Sequence, residues 1–395
     1  MLNSDDAAEL NGFLGSLRAA WSAEDRPASA HLDVTYRCDL DCGHCYLDNK
    51  TTWPELTTAE WLDVLEQLRD AGVLFAVWSG GDVLMRSDFA TLLTRASELG
   101  LLSRVKTHGG QIDATWARLF AGSKVIRTDV SVFSLRADIH DALTRRPGSL
   151  ANTLRGVAAL REAGVAVKIS CWVQANMIDE IAEMSRYFND LGCEISFETR
   201  TTIDHSATDA LVPLRLVGAD LARARVAILR AQPTAKPTPI AQRPSHDPCG
   251  AGRTMVYISP DGELWPCINF PMALGNLRDK PLLEIWRESE ARKSLVAWDN
   301  RERATCQSCA GSGFCFYCPG DAYKASGDFR KAPGHFHADA RAKMLAWEAV
   351  NGEPFSATDW ASVPTAESPT KTVKRFVFPI HRAKRGDGKR VGGGT

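Results

Sequence analysis

The chain has 395 residues, 44% hydrophobic and 24% charged, with a formal net charge of -1. That length exceeds one ordinary core and implies a large domain with a smaller one, and the near-neutral charge gives no electrostatic ground for nucleic acid or an anionic membrane as partner. The acidic start, Met1-Leu2-Asn3-Ser4-Asp5-Asp6, is not followed by an apolar stretch and reads as no signal peptide, and no apolar run approaches a membrane span, so the expected location is the cytoplasm.

Residues 1–30 read as an N-terminal helical segment. From 31 to 231, short apolar runs alternate with amphipathic stretches. The strand-like runs are His31–Tyr36, Val73–Ser79, Ser103–Thr107, Lys124–Ser131, Val165–Val173 and Cys193–Glu198. The helix-like ones include Thr58–Ala71, Phe89–Leu99, Leu150–Ala163 and Ile178–Leu191, closed by Gly72, Gly100, Gly164 and Gly192. The alternation predicts an α/β fold with a parallel sheet and crossover helices. Six units rather than eight predict a partial (β/α)6 TIM-type barrel, open to a lateral cleft. Residues 232–248 carry five prolines and read as a linker. Residues 249–350 form a smaller cysteine-rich C-terminal domain, with a hairpin over Met255–Cys267 turning at Pro260-Asp261-Gly262 and a helix over Pro281–Val296. Residues 351–395 read as a basic tail, extended or disordered from about Ser356.

Eleven cysteines are the distinctive feature of the composition. An odd number without a signal peptide argues against a secreted disulfide scaffold. Nine of them fall at Cys38, Cys42 and Cys45, at Cys249 and Cys267, and at Cys306, Cys309, Cys315 and Cys318. Convergent thiolates suit metal or cluster ligation in a reducing compartment. Cys38-x3-Cys42-x2-Cys45 follows directly on the first strand. Three thiolates in so short a loop can wrap one face of a cubane and leave one iron without a protein ligand. There the amino and carboxylate groups of a substrate methionine can bind. Structural zinc, the main competitor, prefers four ligands and Cys-x2-Cys pairs.

This motif resembles the signature of the radical S-adenosylmethionine superfamily, with His44 where that family has an aromatic and Tyr46 matching the aromatic that follows. The resemblance implies a [4Fe-4S] cluster on Cys38, Cys42 and Cys45. It also implies S-adenosylmethionine contacts from Tyr46, from Ser79-Gly80-Gly81-Asp82 after the second strand, and from Thr107, Ser131 and Ser170 at later strand ends. Asp82 replaces the family's Glu, and Thr107-His108-Gly109 stands where Thr-Asn-Gly is common. The second group, Cys249-x12-Gly262-x4-Cys267 followed by Cys306-x2-Cys309-x5-Cys315-x2-Cys318, resembles the SPASM extension, which holds two auxiliary iron–sulfur clusters. The family's ligand sorting gives Cys249, Cys267 and Cys318 to one, which keeps an open iron or recruits a residue such as His246 or Asp247. It gives Cys306, Cys309 and Cys315 to the other. Here Cys315-Phe316-Tyr317-Cys318 is one residue shorter than the family's Cys-x3-Cys, and no cysteine follows Cys318. In the stretch Gly327–His337, His337 takes the place of the family's last cysteine, with His335 as a rival. The alternative for the whole set is a zinc ribbon; for His337 it is a surface histidine.

Cys171 and Cys193 read as small buried apolar residues, with a hydrogen-donor role as the alternative for Cys171. Glu198 and Arg200 either face the substrate or pair with each other at the barrel rim. Lys371 to Arg390 carries eight Lys/Arg against one Asp, either a solvated tail or a docking strip for an acidic partner. Only about thirty residues precede the first strand, too few for a winged-helix peptide-recognition domain. The resemblance implies reductive cleavage of S-adenosylmethionine to a 5′-deoxyadenosyl radical and hydrogen abstraction from a substrate carbon. The expected setting is post-translational modification of a ribosomally made peptide, fed by an external electron donor such as flavodoxin or ferredoxin. The alternatives are radical modification of a small-molecule natural product or cofactor precursor, and a non-catalytic iron–sulfur or zinc binding module.

Overall fold

The apolar runs become six parallel strands: β1 (Ser29–Thr35), β2 (Phe75–Gly80), β3 (Leu102–Thr107), β4 (Val125–Ser131), β5 (Val167–Trp172) and β6 (Glu194–Glu198). The computed structural model describes residues 16, 19–47, 54–201, 210–237, 239, 249–299 and 304–364. The basic strip 371–390, the linker residues 240–248 and with them His246 and Asp247 lie outside the described residues. Each strand pairs in parallel with the next, in the order β6-β5-β4-β3-β2-β1. This is the α/β partial barrel the alternation implied.

Period-2 alternation sorts each strand into two faces. Ala30, Leu32 and Val34 of β1, Ala76 and Trp78 of β2 and Val105 of β3 turn outward against the helices and join one apolar core with Trp61, Leu65 and Phe89. Full burial of the larger ones, such as Leu32, Val34, Leu65 and Phe89, contributes about 1.5–3 kcal/mol each. Helix Thr58–Asp70 starts at a capping box, Thr57 with Glu60, and its Trp61, Val64, Leu65 and Leu68 supply the buried stripe. Helices Ala114–Gly122, Ala137–Thr144 and Gly218–Ala231 complete the layer. The helix expected over Ile178–Leu191 begins only at Ile181, after a 3-10 segment Ala175–Glu180.

The cysteine-rich part does not stand apart from the barrel. Its hairpin, β7 (Met255–Ile258) and β8 (Glu263–Trp265), adds to the free edge of β1: β7 runs parallel to β1, with Ser29 opposite Met255 and Leu32 opposite Ile258. β9 (Gly275–Asn276) ends the nine-stranded sheet. Arg278 reaches back to Glu60 (2.7 Å) and to the Pro54 carbonyl (3.0 Å). The helix expected over Pro281–Val296 is two, Leu282–Glu288 and Glu290–Ala297. Ser289, extended at φ -60 and ψ 111, ends the first and caps the second by accepting from the Arg292 N–H. A serine hydroxyl that replaces a backbone acceptor makes such a break cheap. Helix Gly334–Asn351 packs on Gly218–Ala231, where Asp339 pairs with Arg225 and, at 2.8 Å, with Lys343. The extended reading from Ser356 fails locally: Ser356 and Asp359 form a capping box that starts helix Ala357–Ser362.

Candidate active site

β1 delivers the chain to the C-terminal mouth of the barrel, and the loop Cys38–Cys45 begins three residues later. The loop is tied to the end of helix Ala137–Thr144: Asp41 N–H donates to the Thr144 carbonyl (3.3 Å) and Gly43 N–H to Leu143 (2.9 Å). Arg145 pairs with Asp41 at 2.9 Å, and Arg146 donates to the Asp39 carbonyl at 3.2 Å. Cys38, Cys42 and Cys45 are half-buried, and none of the eleven cysteines forms a disulfide. His44 acts as an aromatic. Its ring stacks on Trp172 (4.9 Å, 4°) and meets Phe133 edge-on (4.6 Å, 75°). Burial, helped by His140, pulls its pKa down to about 4, so the ring is neutral.

The Gly80-Gly81 bend fits against β1. Gly80 has φ +131, and a Cβ there would lie 2.1 Å from the Thr35 carbonyl oxygen; at Gly81 it would lie 2.3 Å from that of Arg37. Gly81 N–H and Asp82 N–H donate to those same carbonyls (2.8 and 2.9 Å). The close approach that demands glycine is therefore to the β1 exit. Asp82 is 1% exposed. Its Oδ2 accepts from the Thr107 hydroxyl (2.6 Å) and the His108 N–H (3.0 Å), and its Oδ1 from the Leu84 N–H (3.0 Å). Asp82 and Thr107 thus hold the β2 and β3 exits together. His108 Nε2 meets Asp39 at 2.8 Å, and Cys38 Sγ, an Asp39 oxygen and a His108 nitrogen all lie within 4.8 Å of one another. Burial opposes the imidazolium, but Asp82 and Asp39 outweigh it, and the His108 pKa rises; the hydrogen bond from His108 holds Asp39 down at about 2.

The inward faces of the strands are polar. Ser131, Ser170 and Ser196 are register partners across β4, β5 and β6, and the Ser79 hydroxyl bonds Tyr46. Below them an ion-pair ladder joins four strands: Arg104–Asp129 (2.6 Å), Arg127–Asp129 (2.8 Å), Arg127–Glu194 (3.2 Å) and Lys168–Glu194 (2.8 Å). Tyr257 of β7 reaches into the barrel and donates to buried Asp33 at 2.9 Å, while its oxygen lies 2.8 Å from the Tyr36 hydroxyl. Burial holds the Tyr36, Tyr46 and Tyr257 phenols well above their usual range, which keeps them neutral hydrogen-bonding groups. Cys171 faces the other way: it is 2% exposed, sits in the outer core and donates to the Phe133 carbonyl. The hydrogen-donor alternative for Cys171 therefore fails, because the inward positions of β5 are those of Ser170 and Lys168. Glu198 and Arg200 pair at 2.9 Å, and Arg200 also lies over the Phe316 ring at 4.2 Å.

The later cysteines separate into two neighbourhoods. Cys249 and Cys267 pack around Phe270; burial and then Cys318 and Cys249 push the Cys267 thiol up, and burial and then Asp321, with Cys249 behind it, push Cys318 to about 11. Such a pocket disfavours three bare thiolates and suits them once a metal shares their charge. Cys309 and Cys315 instead border a cluster of Phe314, Ala340, Met344, Trp347 and Val363. Helical spacing puts His337 on the same stripe as Ala340, Met344 and Trp347. His335 lies on the Asp339 side, near Arg200 and Arg215, where burial and then those cations pull its pKa down to about 3.

Residues 32–188 match the family model of the radical SAM superfamily, and residues 249–310 match that of SPASM, an iron–sulfur cluster-binding domain. The chain belongs to the radical SAM superfamily. This enzyme with its SPASM domain is 25% identical to an AdoMet-dependent heme synthase of Methanosarcina barkeri over 75% of this chain and 92% of that one. It is 28% identical to a PqqA peptide cyclase of Xanthomonas euvesicatoria (72% and 80% of the chains) and 26% to the subtilosin biosynthesis protein AlbA of Bacillus subtilis (74% and 67%). In fold it is similar to Streptococcus suis SuiB bound to its precursor peptide SuiA, with a TM-score of 0.59 at 18% identity over 80% and 78% of the chains. It is likewise similar to anSMEcpe with bound AdoMet, with a TM-score of 0.60 at 14% identity over 85% and 98%. The two matched domains imply iron–sulfur clusters and S-adenosylmethionine binding. Among the described residues, no helix is long and apolar enough to cross a membrane.

Sequence reasoning missed Asp39, Asp33 and Tyr257 as site residues. Asp39 carried a weak signal, a carboxylate inside a cysteine loop; Tyr257 carried none, because its role depends on strand pairing more than two hundred residues away.

Proposed function

We propose that Cys38, Cys42 and Cys45 hold a [4Fe-4S] cluster that, when bound, cleaves S-adenosylmethionine reductively to a 5′-deoxyadenosyl radical. The radical's target is a carbon of a ribosomally made peptide. The observation that carries this reading is the position of the three-thiolate loop, fastened at the mouth of a hydroxyl-lined lumen above a ladder of interstrand ion pairs. Ser79, Tyr46, Ser131 and Ser170 offer hydroxyls to the cofactor's amino acid and ribose. Gly80 and Gly81 bring their strand exit tight against the loop, and Asp82 fixes the platform from behind. Cys249, Cys267 and Cys318, and separately Cys306, Cys309 and Cys315 with His337, would hold two auxiliary clusters, with an external flavodoxin or ferredoxin as electron source. The relatives named as a peptide cyclase and a bacteriocin biosynthesis protein support a peptide substrate.

The heme synthases among the relatives support a second reading, the modification of a cofactor precursor. One experiment separates them. The anaerobically reconstituted enzyme is incubated with dithionite, S-adenosylmethionine and short peptides encoded beside its gene, and peptide masses are recorded with 5′-deoxyadenosine yield. A changed peptide mass with stoichiometric 5′-deoxyadenosine supports the first reading. Unchanged peptides beside a modified tetrapyrrole would move the assignment to the second. Full 5′-deoxyadenosine yield from the Cys38/Cys42/Cys45→Ala triple variant would overturn both.

A further inference from the structure

Lys324 lies in helix Pro319–Ser326, and its side chain is 0% exposed. A buried ammonium is costly unless negative charge or well-placed acceptors surround it. Lys324 Nζ donates to Asn269 Oδ1 at 3.0 Å and stands 3.6 Å from Asp321 Oδ1. Both of these residues touch sulfur. Asn269 donates through its backbone to Cys267 Sγ (3.3 Å) and through its side chain to Cys318 Sγ (3.8 Å); the Asp321 N–H donates to Cys318 Sγ (3.5 Å). The arrangement is rigid, because a Cβ on Gly320 would lie 2.2 Å from the Asn269 carbonyl oxygen, so the helix start is seated directly on Asn269. An ion pair with Asp321 alone would not account for burying a lysine here, since apolar residues of similar volume do as well or better. Two sulfurs of one ligand set, those of Cys267 and Cys318, one hydrogen bond beyond Asn269 and Asp321, do account for it.

We propose that Lys324 is a charge-compensating positioning residue for an auxiliary cluster on Cys249, Cys267 and Cys318, and that it raises the reduction potential of that cluster. The inference rests on the proposed assignment of these three cysteines as cluster ligands. Reduction adds one negative charge to the cluster, and a desolvated ammonium nearby stabilises that charge, whereas Asp321 opposes it. The two residues therefore act on the potential with opposite sign.

The test uses full-length protein, anaerobically reconstituted, with iron analysis and a redox titration followed by electron paramagnetic resonance. The signal of interest is the one lost in Cys249→Ala and Cys318→Ala. Lys324→Met is expected to disfavour reduction at least tenfold, a drop of about 59 mV for a one-electron couple. Asp321→Asn is expected to raise the potential, and Lys324→Arg to stay near wild type. A retained cluster with unchanged potential in Lys324→Met overturns the proposal, as do shifts of the same sign in Lys324→Met and Asp321→Asn. If Lys324→Met loses the cluster, Asp321→Asn decides: a rise supports the proposal and anything else overturns it. Failure of the underlying assignment looks different, since Cys249→Ala and Cys318→Ala would then keep wild-type iron and every signal.

Discussion

His108 Nε2 stands 2.8 Å from Asp39 Oδ1 and 3.3 Å from Asp82 Oδ2, so one imidazole joins the cysteine loop after β1 to the exits of β2 and β3. Asp39 lies between Cys38 and Cys42, and Asp82 closes the Ser79-Gly80-Gly81 bend. His108 in this chain occupies the place of the Asn in the related Thr-Asn-Gly motif, and its longer side chain spans to both carboxylates.

His108→Ala leaves Asp39 and Asp82 without the imidazole they share. A hydrogen bond to a charged group contributes about 1.5–3 kcal/mol. The expected result is at least a tenfold loss of 5′-deoxyadenosine yield with less iron at the first site, and Asp39→Asn should fall in the same direction. Equal yield and iron in both variants would show that the loop is held without this link.

Gly80→Ala meets two obstacles together, the positive φ and a contact of 2.1 Å with the Thr35 carbonyl oxygen. Backbone strain alone costs about 1–3 kcal/mol, and the clash adds to it. The variant should show a clearly lowered thermal midpoint or fail to accumulate as folded protein. Gly100→Ala is the control: its φ is +86 but nothing lies within 4 Å of the added carbon. It should lose far less stability, and similar losses in the two variants would remove the role assigned to the β1 contact.

The Cys249–Cys318 region has its own packing centres around Phe270 and around Met344, separate from the loop at Cys38. The Cys38/Cys42/Cys45→Ala variant should therefore keep its auxiliary iron. Iron counting and Mössbauer spectra on that variant check this, and an iron-free protein counts against it.

His337→Ala should lose iron from the Cys306–Cys309–Cys315 site, because the His337 side chain shares the helical stripe of Ala340 and Met344 that borders Cys309 and Cys315. His337→Cys should keep the iron and lower the potential, since a thiolate adds negative charge where imidazole adds none. His335→Ala should leave both properties alone. Loss of that iron in His335→Ala but not in His337→Ala would reverse the assignment.

The sequence by itself determined the repeat and the chemistry of the donors. Strand and helix periods, the glycines at helix ends and the thiolate spacing are local quantities, so the six units and the loop Cys38–Cys45 could be read within a few residues. It did not contain the pairing of β7 with the free edge of β1, because edge-to-edge pairing depends on where two segments meet and not on either alone. That pairing carries Tyr257 to Asp33 and makes the cysteine-rich part a continuation of the barrel sheet. The same holds for facing. Cys171 and Ser170 are neighbours in sequence, yet the pleat sends the thiol into the outer core and the hydroxyl toward the lumen. Likewise, His335 lies near Arg200 and Arg215, while helical spacing puts His337, two residues on, on the stripe of Ala340 and Met344.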